Sequence, residues 1–296
     1  MHIRCVGIVG AGTMGQGIAI SCAASGLDVL LCERSPELLA RALEGIGEAL
    51  DRDIAKWRRT EGEKRAVLAR IKSVDGLPAL EAAEIVVESV PEDLELKAAI
   101  FQELDRVCPP EDILATNTST LSVTEIAALT KRPDRVIGLH FLHPVPKVPL
   151  VEVVRGLATT DATYRTALEF VRILGKTGIE VFEYPGYVTT RVMLPFLNEA
   201  MHVVMEGVAS AEAVDTSMKL GYGLPVGPLQ LADRMGLDEV MRWMQYLFGE
   251  LGDLKYRPCP LLRKMIRAGH LGVKAGRGFF TYDEDGNVRE GDKATP

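Results

Sequence analysis

The chain has 296 residues, of which 47% are hydrophobic and 25% are charged, and its formal net charge is -7. This composition is typical of a soluble globular protein with one large or two ordinary domains. The acidic balance argues against nucleic acid as the main partner, because no general excess of basic residues is available to neutralise phosphates.

Cysteine content and hydropathy narrow the class of protein further. The five cysteines are odd in number and include no CxxC pair, so we expect reduced thiols and neither a disulfide framework nor a metal site. The apolar run at the N-terminus is short, breaks at Gly10 and does not resemble a signal peptide. No apolar run reaches the ~18 residues of a membrane helix. We therefore expect a cytoplasmic protein that does not enter a membrane.

A glycine motif opens the chain. Residues 3 to 9 are predicted to form a buried strand, the motif GAGTMG follows, and a helical pattern leads to a second buried strand that ends at Glu33. A GxGxxG between strand and helix, with a strand-terminal acid about 20 residues later, indicates dinucleotide binding. Gly10 permits a tight turn, Gly12 lets the backbone approach a pyrophosphate, and Gly15 allows close helix–strand packing.

The acid that ends the second strand selects the form of the cofactor. Glu33 is expected to accept hydrogen bonds from the adenosine ribose hydroxyls and to repel a 2′-phosphate, so the sequence favours NAD over NADP. Arg34 leaves the alternative open, because an arginine at this place can pair with that phosphate.

Residues 36 to 72 form a charged helical insertion. Two helical stretches, Leu38–Leu50 and Lys64–Ile71, predict a projecting helical hairpin. Between them the basic side chains of Lys56, Arg58 and Arg59 could meet a phosphate-bearing substrate, although a charge run of this kind more often forms a solvated face.

Strands and helices then alternate, which predicts an α/β doubly wound, mainly parallel sheet of the Rossmann type. We expect strands at 84–90 and 112–117, a helix at 94–107 and a short helix that Ser122 caps. Ligands of such sheets bind at the carboxyl ends of the strands. The polar or special residues at or just past predicted strand ends are Gly10, Glu33, Glu92, Asn117, Ser119 and His140.

The stretch 136–154 carries the main candidate for catalysis. His140 ends one apolar strand, a proline-rich loop follows, and Glu152 lies on the next strand. A carboxylate facing the imidazole would fix its tautomer and stabilise the imidazolium, which suits proton transfer near neutral pH. The alternative is a structural histidine in the core that is hydrogen-bonded to a nearby carboxylate. The convergence of polar residues at the strand ends favours the catalytic interpretation.

The pattern changes after residue 184. Only helices are expected beyond it, at 191–207, 210–220, 229–235, 238–249 and 261–267, followed by a basic glycine-rich loop and a polar tail at 283–296. We therefore predict a domain boundary between 184 and 185. The apolar faces are too many for a small helical unit to bury alone, which predicts a homodimer through this second domain.

These motifs together identify a resemblance that covers nearly the whole chain. The segments GAGTMGQGIA, ATNTSTLS, GLHFLHPVPKVPLVEVV, PGYVTTRVMLPFLNEA and KAGRGFFTYD resemble those of L-3-hydroxyacyl-CoA dehydrogenases, especially the bacterial 3-hydroxybutyryl-CoA type. The resemblance implies a Rossmann-type domain, an all-α dimerisation domain, NAD as cofactor and a CoA thioester as substrate.

The resemblance also implies roles for single residues. It places the catalytic pair on His140 and Glu152, with Ser119 hydrogen-bonding the reacting oxygen and Asn117 beside it. Coenzyme A would contact Lys56, and the substrate would contact Ser119 and Thr190. The implied cofactor contacts are Gly10, Ala11, Gly12, Thr13, Met14, Gly15, Glu33, Glu92, Lys97, Ser119, His143 and Arg277.

Two positions depart from the family pattern. His143 and Thr190 stand where the family usually has asparagine. An amide offers a donor and an acceptor at fixed geometry, whereas threonine is shorter and histidine is titratable. A related dehydrogenase of another 3-hydroxy substrate (a carrier-protein thioester, a carnitine-like acid or a sugar acid) therefore stays open. A non-catalytic NAD-binding protein of the lens-crystallin kind is a further alternative, which the intact set of His140, Glu152 and Ser119 disfavours.

Overall fold

The structure is a computed structural model that describes residues 3–289. The chain divides into two compact units between Tyr187 and Val188, and each unit is described by itself. Residues 290–296 of the predicted polar tail lie outside the described residues.

A single sheet forms the first unit. Within residues 3–289 it contains eight strands in the order β3-β2-β1-β4-β5-β6-β7-β8, and all neighbours are parallel except β6 and β7. The doubly wound, mainly parallel Rossmann-type fold predicted from sequence is confirmed. The strands are β1 Cys5–Val9, β2 Asp28–Cys32, β3 Ile71–Val74, β4 Ile85–Glu88, β5 Ile113–Thr116, β6 Val136–Phe141, β7 Leu150–Arg155 and β8 Thr177–Phe182.

Helices cover the sheet and carry the chain between its parallel strands. Buried aliphatic side chains such as Ile8 and Ile18 pack between helix and sheet and exclude water from the core. The helices of this unit are α1 Thr13–Ala24, α2 Pro36–Ala55, α3 Glu61–Arg70, α4 Leu94–Val107, α5 Val123–Ala128 and α6 Asp161–Ile173.

Local sequence signals explain where these helices begin. The hydroxyl of Ser122 accepts a hydrogen bond from the backbone N–H of Glu125, as predicted. The structure differs from prediction at residues 71 and 72, which belong to β3 and not to the end of a helix. This edge strand is short and its central residues, Lys72 and Ser73, are exposed, so it lacks the apolar pattern by which a strand is recognised.

The second unit is helical, as predicted. Its described part contains five α-helices, α7 Thr189–Met205, α8 Ala211–Tyr222, α9 Pro228–Met235, α10 Leu237–Leu251 and α11 Pro260–Arg267. They enclose their own core, which includes Leu197, Met244 and Tyr256. Among residues 3–289, no helix combines the length and the apolar character needed to cross a bilayer.

Candidate active site

The turn between β1 and α1 is shaped for a ligand. Gly10 has a φ of 95°, and a Cβ there would lie 2.6 Å from the Ser89 carbonyl oxygen. A Cβ at Gly15 would lie 1.9 Å from the Gly10 carbonyl oxygen. At Gly12, in contrast, the described chain places no atom within 4 Å of a Cβ beyond the immediate neighbours. The protein itself requires the outer two glycines, and the middle one leaves open space at the helix N-terminus.

The surroundings of this turn fit a dinucleotide. In the described chain, α1 has no side-chain cap at Gly12 and no acidic residue in its first turn, so its N–H groups and positive dipole end are available to phosphates. The Glu33 carboxylate accepts hydrogen bonds from the backbone N–H groups of Ala11 and Arg34, each at 2.8 Å. Glu33 is thereby fixed next to the turn, at the place where a ribose would lie in such a fold. Thr13 is exposed beside Gly12, and Met14 is half-buried.

His140 and Glu152 meet across the antiparallel pair. They are register partners of β6 and β7, and His140 Nδ1 lies 2.6 Å from Glu152 Oε2. Their side chains are 5% and 0% exposed. A hydrogen bond donated by Nδ1–H to the carboxylate leaves Nε2 as a proton acceptor. The ring of Tyr187 stands 5.5 Å from the imidazole centroid, a neighbour that the sequence patterns did not indicate.

Asn117 and Ser119 follow β5, the strand next to β6. The Asn117 side-chain oxygen accepts from the backbone N–H of Phe141 at 2.9 Å, which ties this loop to the end of the strand that carries His140. The Ser119 N–H donates to Glu92 at 2.8 Å. No described residue is hydrogen-bonded to the half-buried Ser119 hydroxyl, so that hydroxyl is available to a ligand.

Glu92 holds the loop that contains Ser119. One of its oxygens accepts from the Thr118 hydroxyl, from the Ser119 N–H, and from both the N–H and the hydroxyl of Thr120, at 2.6 to 3.0 Å. Its other oxygen lies 3.4 Å from the Lys97 ammonium. Burial would raise the pKa of Glu92, but Lys97 and these donors lower it below its usual value.

The Lys97 ammonium that lies near Glu92 also forms a buried ion pair with Glu88. The Lys97 ammonium is 2.7 Å from Glu88, donates to the Val90 carbonyl, and has 1% of its side chain exposed. Glu88 is fully buried and also accepts from the Thr116 hydroxyl. Sequence reasoning missed Glu88, although an acid that ends an apolar strand, as Glu33 nearly does, is a usable signal. Cofactor contacts by Glu92 and Lys97 stay predictions.

Four further predicted site residues lie on other segments of the chain. Lys56 is exposed at the end of α2, and His143 is in the β6–β7 loop, where partial burial and then Lys147 lower its pKa. Thr190 and Arg277 belong to the second unit. Thr190 is buried in the first turn of α7, and Arg277 is exposed in the glycine-rich loop. Their roles stay predictions.

Sequence comparisons match both halves of the chain to one family. The family model described as 3-hydroxyacyl-CoA dehydrogenase, NAD binding domain, covers residues 5–184. The model described as 3-hydroxyacyl-CoA dehydrogenase, C-terminal domain, covers residues 186–282.

Individual relatives are similar over almost their full lengths. The chain is 49% identical to a probable 3-hydroxybutyryl-CoA dehydrogenase of Bacillus subtilis, over 96% of this chain and 99% of that one. It is 45% identical to a 3-hydroxybutyryl-CoA dehydrogenase of Bradyrhizobium diazoefficiens, over 95% and 96%. A solved (S)-3-hydroxybutyryl-CoA dehydrogenase from Ralstonia eutropha superposes with a TM-score of 0.89 at 45% identity, over 96% of this chain and 100% of that one.

Proposed function

The chain belongs to the 3-hydroxyacyl-CoA dehydrogenase family, and we propose that its substrate pair is (S)-3-hydroxybutyryl-CoA and acetoacetyl-CoA. The resemblance seen in the sequence, the oxidoreductase activity and NAD as cofactor are confirmed by these matches. The short-chain substrate is supported by the names of the similar proteins. The observation that carries the mechanism is the 2.6 Å contact between His140 and Glu152 at the carboxyl edge of the sheet.

We assign the proton transfer to His140. In the oxidation direction Nε2 takes the proton of the 3-hydroxyl group while C3 loses a hydride, and the Nδ1–H bond to Glu152 stabilises the imidazolium that forms. NAD, when bound, supplies the hydride acceptor, and NADH supplies the hydride in the reverse direction. In reverse, the imidazolium returns its proton to the oxygen of the 3-keto group.

Ser119 positions the reacting oxygen in this proposal. Its hydroxyl is available, and its backbone is fixed by Glu92, whose other oxygen lies 3.4 Å from the Lys97 ammonium. Asn117 acts as a positioning residue, because its amide joins this loop to Phe141, next to His140. Fixed donors of this kind lower the barrier since they need no reorganisation during the reaction.

Other residues would bind the cofactor and the parts of the substrate that do not react. Gly10 to Gly15 and Glu33 would hold the cofactor, because they leave the open space and the free N–H groups that a pyrophosphate needs. Lys56 would meet the phosphates of coenzyme A. His143 and Arg277 are proposed to contact the cofactor, and Thr190 the substrate.

A homodimer through the second unit is part of the proposal. Apolar side chains lie exposed on its surface, including Val192 at 67%, Val208 at 71% and Leu220 at 83%, and surfaces of this kind mark contact sites. Light scattering after gel filtration should give twice the chain mass of 32.3 kDa. A cytoplasmic location is proposed because all five cysteines are free thiols.

His143 and Thr190 motivate a second candidate substrate. Threonine is shorter and carries its donor and acceptor on one oxygen, and histidine is titratable, so neither reproduces the fixed amide geometry of the asparagine that the family usually has at these positions. A pocket altered in this way would suit another 3-hydroxy compound, such as a carrier-protein thioester or a free 3-hydroxy acid.

One assay separates these candidates. Purified protein is mixed with NADH and acetoacetyl-CoA, with NADPH in parallel, and nicotinamide absorbance is followed. Rapid oxidation of NADH, with little oxidation of NADPH, is expected. Tight NADH binding without turnover would reject the short-chain CoA substrate and direct the search to carrier-protein thioesters and free acids.

A further inference from the structure

Tyr187, the last residue of the first unit, has a backbone conformation that a bulky side chain disfavours. Its φ is 48°, and within residues 3–289 it is one of two residues other than glycine with a positive φ. The turn before it does not require this conformation. Gly186 supplies the positive φ, 80°, that suits a type II turn after Pro185, and the Tyr187 N–H donates to the Tyr184 carbonyl at 2.9 Å. Strain of this kind persists where surrounding contacts fix a residue, often at a functional site.

One such contact joins the ring of Tyr187 to the imidazole of His140. Both side chains are buried, and the ring centroids are 5.5 Å apart with 57° between the ring planes, a tilted arrangement that aromatic pairs favour. Glu152 holds the Nδ1 atom of the same imidazole at 2.6 Å. A bond at one nitrogen still lets the imidazole swing about that bond, and the packed ring of Tyr187 limits this movement.

The hydroxyl of Tyr187 contacts the loop that contains Ser119. It donates to the Leu121 carbonyl at 3.4 Å, two residues beyond Ser119. Glu92 accepts from the Ser119 N–H in the same loop, so the contact at Leu121 restrains this loop at a second point. One side chain therefore touches both the imidazole assigned to proton transfer and the loop that presents the Ser119 hydroxyl.

We propose that Tyr187 is a positioning residue that holds the His140 imidazole and the Ser119 loop in a fixed relative position. The inference rests on the function proposed for these two residues, since a proton is transferred only when Nε2 is within hydrogen-bond reach of the substrate oxygen. A displacement of about 1 Å can cost about 100-fold in rate. A change at Tyr187 leaves the residues proposed to bind the cofactor and coenzyme A unaltered, so kcat should change and KM should change little.

Two substitutions separate the ring from the hydroxyl. Tyr187→Leu keeps apolar bulk in the core but removes both contacts, and kcat with acetoacetyl-CoA and NADH should fall about 10- to 100-fold, with KM within about twofold of the wild type. Tyr187→Phe keeps the ring and should lower kcat about threefold, the effect of one weak hydrogen bond. Because Tyr187→Phe preserves the packing of the core, it decides the test if Tyr187→Leu does not fold. A wild-type kcat in either variant, or a loss confined to KM, would overturn the inference.

Tyr256 provides the matched control. It is a fully buried tyrosine in the core of the second unit, and its hydroxyl donates to the Arg191 carbonyl at 3.5 Å. Tyr256→Leu should lower the free energy of unfolding and leave kcat per folded molecule unchanged. A fall in kcat equal to that of Tyr187→Leu would show that the loss of any buried tyrosine slows the enzyme, and it would overturn the inference.

A double-mutant cycle tests whether Tyr187 acts through His140. The effects of residues that act as a unit are not additive. In a His140→Ala background, Tyr187→Leu should lower the residual kcat by less than about threefold. A residue that only supports the fold would lower kcat by the same factor in both backgrounds, and that result would contradict the proposal.

Nuclear magnetic resonance makes the test independent of turnover. The chain has five histidines, and in protein with ¹³C-labelled histidine the His140 signal is the one that His140→Ala lacks. This signal should be single and sharp in the wild type and should broaden or split in Tyr187→Leu, because the imidazole then samples more than one orientation. If acetoacetyl-CoA is not turned over but this change occurs, the proposed substrate fails and the positioning role stands. If turnover is normal and the signal stays single and sharp, the positioning role fails and the proposed function stands.

Discussion

Each of the two units contains a carboxylate that accepts several hydrogen bonds, half-buried in the first unit and buried in the second, and the two carboxylates differ in their partners. Glu92 in the first unit accepts from residues 118–120 and lies beside the Lys97 ammonium. Asp233 in the second unit accepts from the backbone N–H groups of Phe279 and Phe280 and from the hydroxyl of Tyr282.

The difference in partners appears as opposite pKa shifts. The pKa of Glu92 falls below its usual value, because Lys97 and the donors of the loop overcome the effect of burial. Burial raises the pKa of Asp233 to about 6, although three donors oppose it. Among the described residues no cation forms a salt bridge with Asp233, and only hydrogen bonds compensate its charge.

Burial of an acid is therefore a poor guide to function by itself. Glu92 fixes the segment that contains the available Ser119 hydroxyl, at the edge of the sheet where His140 and Glu152 meet. Asp233 joins the chain around Phe279 to the helical core of its own unit. We interpret the first as a positioning group for catalysis and the second as a structural group, and four predictions test this distinction.

The largest effect is expected at the proton-transfer group. His140→Ala should lower kcat about 10²–10⁴-fold, because a positioned acid–base group is removed. NADH binding, followed by fluorescence titration, should be nearly unchanged, since the glycine turn and Glu33 are not altered. Asp233→Asn, purified in parallel and assayed per folded molecule, should keep the wild-type kcat. Substantial turnover in His140→Ala would show that another group transfers the proton.

The second prediction concerns Glu92. Glu92→Gln removes the charge that faces Lys97 and turns an amide N–H₂ either toward that ammonium or toward the four donors of the loop, so the loop that contains Ser119 should shift. A displacement of a reacting group by about 1 Å can cost up to about 100-fold in rate, and we expect kcat to fall about 10- to 100-fold. The circular dichroism spectrum should remain close to that of the wild type, and a weaker affinity for NADH would be the mark of the predicted cofactor contact of Glu92. Loss of folded protein without a loss of kcat per folded molecule would make Glu92 a structural residue like Asp233.

The sequence predicted the parts of this site that depend on local patterns. The motif around Gly10 and the strands that carry His140 and Glu152 were visible because apolar runs and glycine spacing report local structure. The loop of residues 142–149 between β6 and β7 is too short for a crossover connection, so an antiparallel pairing that sets the two side chains opposite each other follows from the chain itself.

Interactions between distant segments could not be predicted in the same way. Glu92 and Ser119 are 27 residues apart and lie on different loops, and no periodicity reports such a contact. Glu88 could have been suspected because it ends an apolar strand, but its partner Lys97 lies on a helix, and no local pattern reports that ion pair. The edge strand β3 was missed because its exposed residues are polar. Tertiary packing decides all three.

The third prediction tests the structural role of Asp233. In Asp233→Asn an amide N–H₂ replaces one acceptor oxygen and faces a backbone donor, the Phe279 N–H at one oxygen or the Phe280 N–H at the other. A buried donor without a partner costs about 1–3 kcal/mol, so the free energy of unfolding should fall by this amount at pH 7, measured by urea denaturation. The matched change Asp253→Asn, at an exposed position of the same unit, should have little effect. Equal stability of the Asp233 variant and the wild type would show that these hydrogen bonds contribute nothing net.

The smallest expected effect is a pH dependence of the free energy of unfolding. It is measured as the difference between the wild type and Asp233→Asn. The carboxyl of Asp233 has an ordinary pKa of 3.8 in the unfolded chain and one of about 6 in the folded unit, so the folded state binds more protons between these values. Its contribution to stability is therefore fully present below pH 3.8 and is lost as the pH rises through 6. Wild type should lose about 1 kcal/mol relative to Asp233→Asn between pH 5 and pH 7. Asp112 and Asp215, whose pKa values burial also raises, are present in both proteins, so their contributions largely cancel in the difference. A difference that does not vary with pH would mean that Asp233 keeps an ordinary pKa, and that its hydrogen bonds compensate its charge as fully as Lys97 compensates that of Glu92.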